Sequence, residues 1–189
     1  MIVLALTITA VILVAVSQFG LFKSTKTSAQ TFTSIIPSTQ IQIPSVKIEE
    51  KKGKPTSIRL PSVSIDLPLL DGVYNASNKT WSLSNDAAHY ALMTPIANNI
   101  AGNTFIYGHN KKNVFAKLSS IKNGDKAYIA TDTGLTFVYS FRTSLETDPN
   151  DDTLFHYEGA PILTLQTCSG LWYQNRQLFT FDLIEVVKS

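Results

Sequence analysis

Apolar residues are distributed along this chain in three ways, and each predicts a different kind of element. From Ile2 to Val16 they run unbroken except for Thr7 and Thr9, and Phe19, Leu21 and Phe22 extend the run to the first charge at Lys23. About 20 such residues span a bilayer, so residues 1–22 predict a membrane anchor. A cleaved signal peptide is the rival reading, since Ala15-Val16-Ser17 places small residues at a cleavage point. Lys23 and Lys26 follow the run and nothing basic precedes it, the reverse of the charge order for an anchor with its N-terminus inside. Residues 23–55 then lose the apolar pattern, are rich in Ser, Thr, Gln and Lys, contain Pro37, Pro44 and Pro55, and predict an extended, disordered stalk.

From Thr56 onward the pattern becomes short β-type runs divided by turn residues. Strands are predicted at 58–60, 63–70, 104–107, 127–130, 135–141, 162–167 and 178–187. Asn85–Leu92 reads as a short helix capped by Asn85 or Asp86, and Val114–Ile121 as a second one ending at the Asn123-Gly124 turn. Many short strands and two brief helices over residues 56–189 predict an all-β domain, a closed or nearly closed barrel. The 189 residues, 44% of them hydrophobic, suit one such domain with an appendage. Strand parity adds detail, because side chains alternate between the two faces. Leu163 and Leu165 share the core face, which leaves Thr164, Gln166 and Cys168 on the other. In the last strand Phe179, Phe181 and Leu183 are the apolar set, and Arg176, Thr180 and Asp182 oppose them, with Leu178 breaking the polar row. If these two strands pair across 169–175, Arg176 and Cys168 face the same groove.

Charge narrows the function classes. Residues 23–55 hold six lysines against Glu49 and Glu50, whereas residues 56–189 hold ten basic and twelve acidic residues. The globular part therefore has no basic excess for nucleic acid, and the basic stretch suits either an anionic membrane or wall surface or simple solvation. The chain has one cysteine, so Cys168 has no partner for an intrachain disulfide or a multi-cysteine metal site. A free thiol, with a pKa near ~8.5, needs a base or positive charge nearby to become a nucleophile. Three histidines are candidates for that base: His89 in the expected helix, His156 in a loop with Asp148, Asp151, Asp152 and Glu158, and His109 after the strand-like 104–107. Arg176 presents a permanently charged planar fork of donors, suited to a carbonyl or an oxyanion.

The run Thr164-Leu165-Gln166-Thr167-Cys168, with Gly108-His109 before it and Arg176 after it, resembles the signature of the sortases, membrane-anchored transpeptidases of Gram-positive and related bacteria. The resemblance spans residues 56–189. It implies an eight-stranded β-barrel in which Cys168 attacks a C-terminal sorting signal, commonly of LPxTG type, and forms a thioester that an amine of a cell-wall precursor or another protein resolves. It assigns His109 as general acid and base and Arg176 as the oxyanion and positioning residue, with the backbone N–H after Thr167 as a further donor. It also suggests Ile106, Thr167 and residues 154–157, Leu154 among them, as walls of the substrate groove. Trp172 and Tyr173 either shape the side where the amine enters or pack under a tight loop. With no apolar segment after Val187 and no Asp-Pro-aromatic lid ahead of the barrel, the resemblance is not to the pilin-polymerising type. No cofactor is implied. Calcium on Asp148, Asp151, Asp152 and Glu158 is the less favoured option, since unaligned loop acids are mostly solvated. The expected partners are surface proteins with sorting signals, an amine acceptor and the membrane, with the catalytic domain outside a single-pass anchor. The competing expectation is a catalytically silent, membrane-tethered barrel that binds wall or protein ligands.

Overall fold

The computed structural model describes residues 47–188; the anchor expected over 1–22, and the stalk as far as residue 46, lie outside them. Among the described residues twelve strands are formed: β1 (Lys52–Gly53), β2 (Pro55–Leu60), β3 (Ile65–Gly72), β4 (Tyr74–Asn75), β5 (Thr80–Trp81), β6 (Ala88–Ala91), β7 (Ala97–Asn98), β8 (Asn103–Tyr107), β9 (Lys126–Thr131), β10 (Leu135–Thr147), β11 (Ile162–Ser169) and β12 (Asn175–Lys188). Eight of them close into a barrel in the order β10-β12-β11-β8-β6-β3-β2-β9, which leaves no unpaired edge in the main sheet. Two small ladders lie outside it, β1 with β7 and β4 with β5. Order begins before residue 56, because β1 pairs with β7 and the Lys51 N–H donates to Asn99 Oδ1 at 2.8 Å. Among the described residues no helix is long and apolar enough to cross a membrane.

Alternation fills the barrel. Ile58 and Leu60 of β2, Ile65, Leu67 and Leu69 of β3, Phe137, Tyr139 and Phe141 of β10, Leu163 and Leu165 of β11, and Phe179 and Phe181 of β12 all join one buried cluster. Each lies two residues from the next, as inward positions of a strand must. Phe181 is fully buried and packs its ring 5.3 Å from Phe141. Phe181→Ala is therefore expected to cost about 3–5 kcal/mol of stability, read as a lowered denaturant midpoint at unchanged slope.

Two expected elements differ in type, and a third in where it starts. The helix expected over 85–92 is instead strand β6, parallel to β3 and antiparallel to β8. All four of its residues are buried, and a short run covered on both faces carries no alternation to mark it as a strand. The helix expected over 114–121 is a 3-10 turn at Ala116–Ser120, and two more such turns occur at Pro61–Val63 and Thr153–His156. The first of these sits where a strand was expected from Val63, so β3 starts only at Ile65, after Ser64 in a left-handed conformation.

Candidate active site

β11 is the middle of three strands that carry the candidate residues. On one side it pairs antiparallel with β12, and the register sets Cys168 directly opposite Arg176. Opposed residues project to the same face with Cβ atoms about 5 Å apart, so the two side chains leave the sheet on the same face. On the other side β11 runs parallel to β8, with Gln166 beside Tyr107. Continuing that register past the end of β8 brings Gly108 to Thr167 and His109 to Cys168. Two bonds fix this extension: the Gly108 N–H donates to Gln166 O at 3.0 Å, and Thr167 Oγ1 donates to Gly108 O at 3.0 Å. His109, Cys168 and Arg176 line one cleft.

Gly108 is required by close approach. A Cβ there would lie 2.8 Å from Val114 Cγ1 and 3.1 Å from Phe115 Cδ2, where the segment after His109 folds back under the strand end. That fold is held by the Phe115 N–H, which donates to His109 O at 3.1 Å. On the next residue, Asn110 Nδ2 donates to the Cys168 carbonyl at 2.9 Å, tying the two segments together from a second direction.

The three histidines separate by environment. His89 is buried in β6, its ring stacked 5.6 Å from Tyr107, with Nδ1 against Asp71 O at 3.3 Å and Nε2 against Ser84 Oγ at 3.0 Å. His156 is exposed, 3.7 Å from Asp152. Of the three, His109 is the one that borders the cysteine's cleft. Its pKa is held below the ordinary imidazole value, first by burial and then by the electrostatic influence of Lys111 and His89, so the neutral imidazole, which accepts a proton, is favoured. Arg176 donates through Nη1 to Tyr173 O at 3.2 Å and Asn175 O at 3.0 Å. These bonds anchor the guanidinium to the β11–β12 connection, and the fork retains further N–H groups for a ligand.

The cleft floor lies on the outside of the barrel. Phe105, Tyr107, Leu178 and Ala91 form a second buried cluster, with Trp81, Leu154 and Phe155 packed on it. This explains Leu178, the apolar residue in an otherwise polar row: it faces outward but under aromatic cover. The cleft itself has a volume of about 70 Å³ and is walled by Trp81, Phe105, Tyr107 and Phe155. A second, wider cavity of about 310 Å³ opens on the other side of Cys168 and is lined by uncharged polar groups, among them Asn110, Ser119, Ser144 and Gln177.

The expected wall residues fare unequally. Ile106 is fully buried inside the barrel, which corrects its expected place in the groove. It has the parity opposite to Phe105, Tyr107 and His109, and those three border the cleft instead. Thr167 lies at the meeting of both cavities, with its hydroxyl on Gly108. Leu154 supports the outer cluster and receives Asn103 Nδ2 on its carbonyl at 2.8 Å, while its neighbour Phe155 reaches the cleft. Trp172 is 86% exposed on the β11–β12 connection, beside Leu171 and Tyr173, so it does not pack beneath that connection. Trp81 and Leu83 also border the cleft; nothing in a short polar segment signals a residue that folds over a distant strand.

Among the described residues, no group of three His, Cys, Asp or Glu converges as metal ligands would. Asp148 accepts from the Asn150 N–H at 2.8 Å, and Asp151 accepts from the Thr147 hydroxyl and the Thr153 N–H.

A family model described as the sortase domain matches residues 58–181. Sortase A of Listeria monocytogenes has a similar structure at 22% identity, with a TM-score of 0.58 over 74% of this chain and 92% of that one. Sortase E1 of Streptomyces coelicolor, solved with a tripeptide in its active site, gives 21% identity and a TM-score of 0.58 over 72% and 91%. The SrtA sortase of Actinomyces oris gives 16% and 0.59 over 75% and 85%. At such identities these structures show a shared fold. No curated protein matches the sequence.

Proposed function

Since the chain belongs to the sortase family, we propose that it is a cysteine transpeptidase that cleaves a C-terminal sorting signal of LPxTG type and transfers the protein to an amine acceptor of the cell wall. The observation that carries this reading is the three-strand register. It puts Arg176 opposite Cys168 on one side and His109 alongside on the other, at a single cleft.

In the proposed reaction, neutral His109 takes the Cys168 thiol proton as sulfur bonds to the scissile carbonyl carbon. The oxyanion that develops is held by Arg176, a type of contact worth about 3 kcal/mol of barrier. As the C–N bond breaks, the imidazolium returns its proton to the leaving amine and a thioester remains on Cys168. The acceptor amine then attacks the thioester carbonyl, its excess proton passes to His109, and as the C–S bond breaks the imidazolium gives that proton to the departing sulfur, restoring the thiol and the neutral imidazole. The wider cavity beside Cys168 offers uncharged amide and hydroxyl groups, which suits a peptide-like acceptor.

The expected arrangement in the cell is residues 1–22 in the membrane and the barrel outside it. The direct test incubates the purified chain with LPxTG-type peptides and an oligoglycine amine and follows products by mass spectrometry. A joined product supports the reading. A barrel that binds these peptides without cutting any of them would instead be a silent binding module.

Gly108→Ala is expected to lower kcat/KM about 10- to 100-fold, because relieving its contact with Val114 and Phe115 displaces His109. A melting curve close to that of the parent, together with the slowed cleavage, would separate this effect from unfolding.

A further inference from the structure

Next to the Cys168 cleft, on the far side of the Trp81–Phe155 pair, lies an open cup of about 260 Å³ that the reaction above does not use. It is bounded by Tyr74 and Trp81 of the β4–β5 ladder, Met93 before β7, and Phe155, Asp151 and Asp152 of the β10–β11 connection. The rings are in contact as a series, Tyr74 to Trp81 at 5.2 Å and Trp81 to Phe155 at 5.7 Å. Three aromatic rings border one hollow, and a ring face turned to such a hollow attracts an alkylammonium or guanidinium group. The carboxylates add negative charge. Asp151 is held below the usual carboxylate range by hydrogen bonds from Thr147 and Thr153, so it stays ionised.

We propose that this cup is a subsite for a lysine or arginine side chain on the polypeptide that Cys168 cleaves. The proposal rests on the transpeptidase reading for the identity of that polypeptide. Trp81 and Phe155 border both the cup and the cleft, so an extended chain lying across them enters both. A neutral apolar side chain would desolvate Asp151 and Asp152 without compensation, whereas a cation pairs with them. The bound cation is not the attacking amine, because neither Cys168 nor His109 borders the cup. His156 stands on the same rim, 3.7 Å from Asp152, where it competes with a bound cation for that carboxylate.

Two measurements on the full chain test this. The chain contains two tryptophans, so Trp172→Phe leaves Trp81 as the sole indole fluorophore. Its emission is expected to respond saturably to N-acetyl-lysine methylamide and about tenfold more weakly to the norleucine analogue. Equal responses overturn the cup. In parallel, lysine and norleucine are exchanged at each position of the cleaved peptide N-terminal to the scissile bond. At one position lysine should raise kcat/KM about tenfold, and Asp151→Asn with Asp152→Asn should reduce that preference to about twofold or less. A ratio near one at every position, or a preference untouched by the paired substitution, overturns the proposal. If no peptide is cleaved at all, the transpeptidase reading fails, and the fluorescence titration alone decides the cup.

Discussion

Replacing Cys168 with alanine is expected to abolish peptide joining and peptide cleavage together, by at least about 10⁴-fold. Without the sulfur there is no atom to carry the acyl group, and neither His109 nor Arg176 can substitute for it. The fold should survive the change. Cys168 is half-buried at the end of β11, belongs to neither apolar cluster, and is held through its backbone by the β12 register and by Asn110. The stability change should therefore stay within about 1 kcal/mol. Cys168→Ser should be nearly as inactive, since a hydroxyl at this position ionises far less readily than a thiol. Steady-state turnover measured beside a denaturant curve checks both halves of the expectation. Residual cleavage near the parent rate in a folded Cys168→Ala protein would assign the reaction to other residues.

The second large effect is at His109, where alanine is expected to slow turnover about 10²- to 10⁴-fold. The pH dependence adds a sign. Burial, then Lys111 and His89, hold this imidazole below its ordinary value, so the neutral, proton-accepting form persists to lower pH than usual. The acid limb of kcat/KM should therefore fall below the ordinary histidine range, with activity retained through that range and lost beneath it. Lys111→Gln removes one repelling charge and should move the limb upward, toward the ordinary value. A limb above the ordinary range, or one indifferent to Lys111, would mean that another group accepts the proton.

Much of this site was legible in the sequence because period-two alternation is a strict rule. Leu163 and Leu165 inside, Cys168 outside and Phe179 with Phe181 opposite Arg176 all follow from counting, and the register of β11 on β12 agrees. The same count, applied from His109 back through Tyr107 and Phe105, would have excluded Ile106 from the groove. Other features had no local signal. β6 is buried on both faces and so lacked alternation. Trp81 acts through a contact with Tyr107, 5.0 Å away between ring centres and on another strand. The aromatic cover over the outer face of the barrel, which turns Leu178 from an oddity into a packing residue, is a tertiary fact.

The central claim is that Cys168 becomes acylated by a sorting peptide, and intact-mass spectrometry of the chain mixed with an LPxTG-type peptide tests it most directly. The expected result is an adduct equal to the peptide segment ending at Thr, mapped to Cys168, discharged by hydroxylamine and absent from Cys168→Ala. Turnover of the peptide with the adduct on another residue, or an adduct that persists in Cys168→Ala, would contradict it.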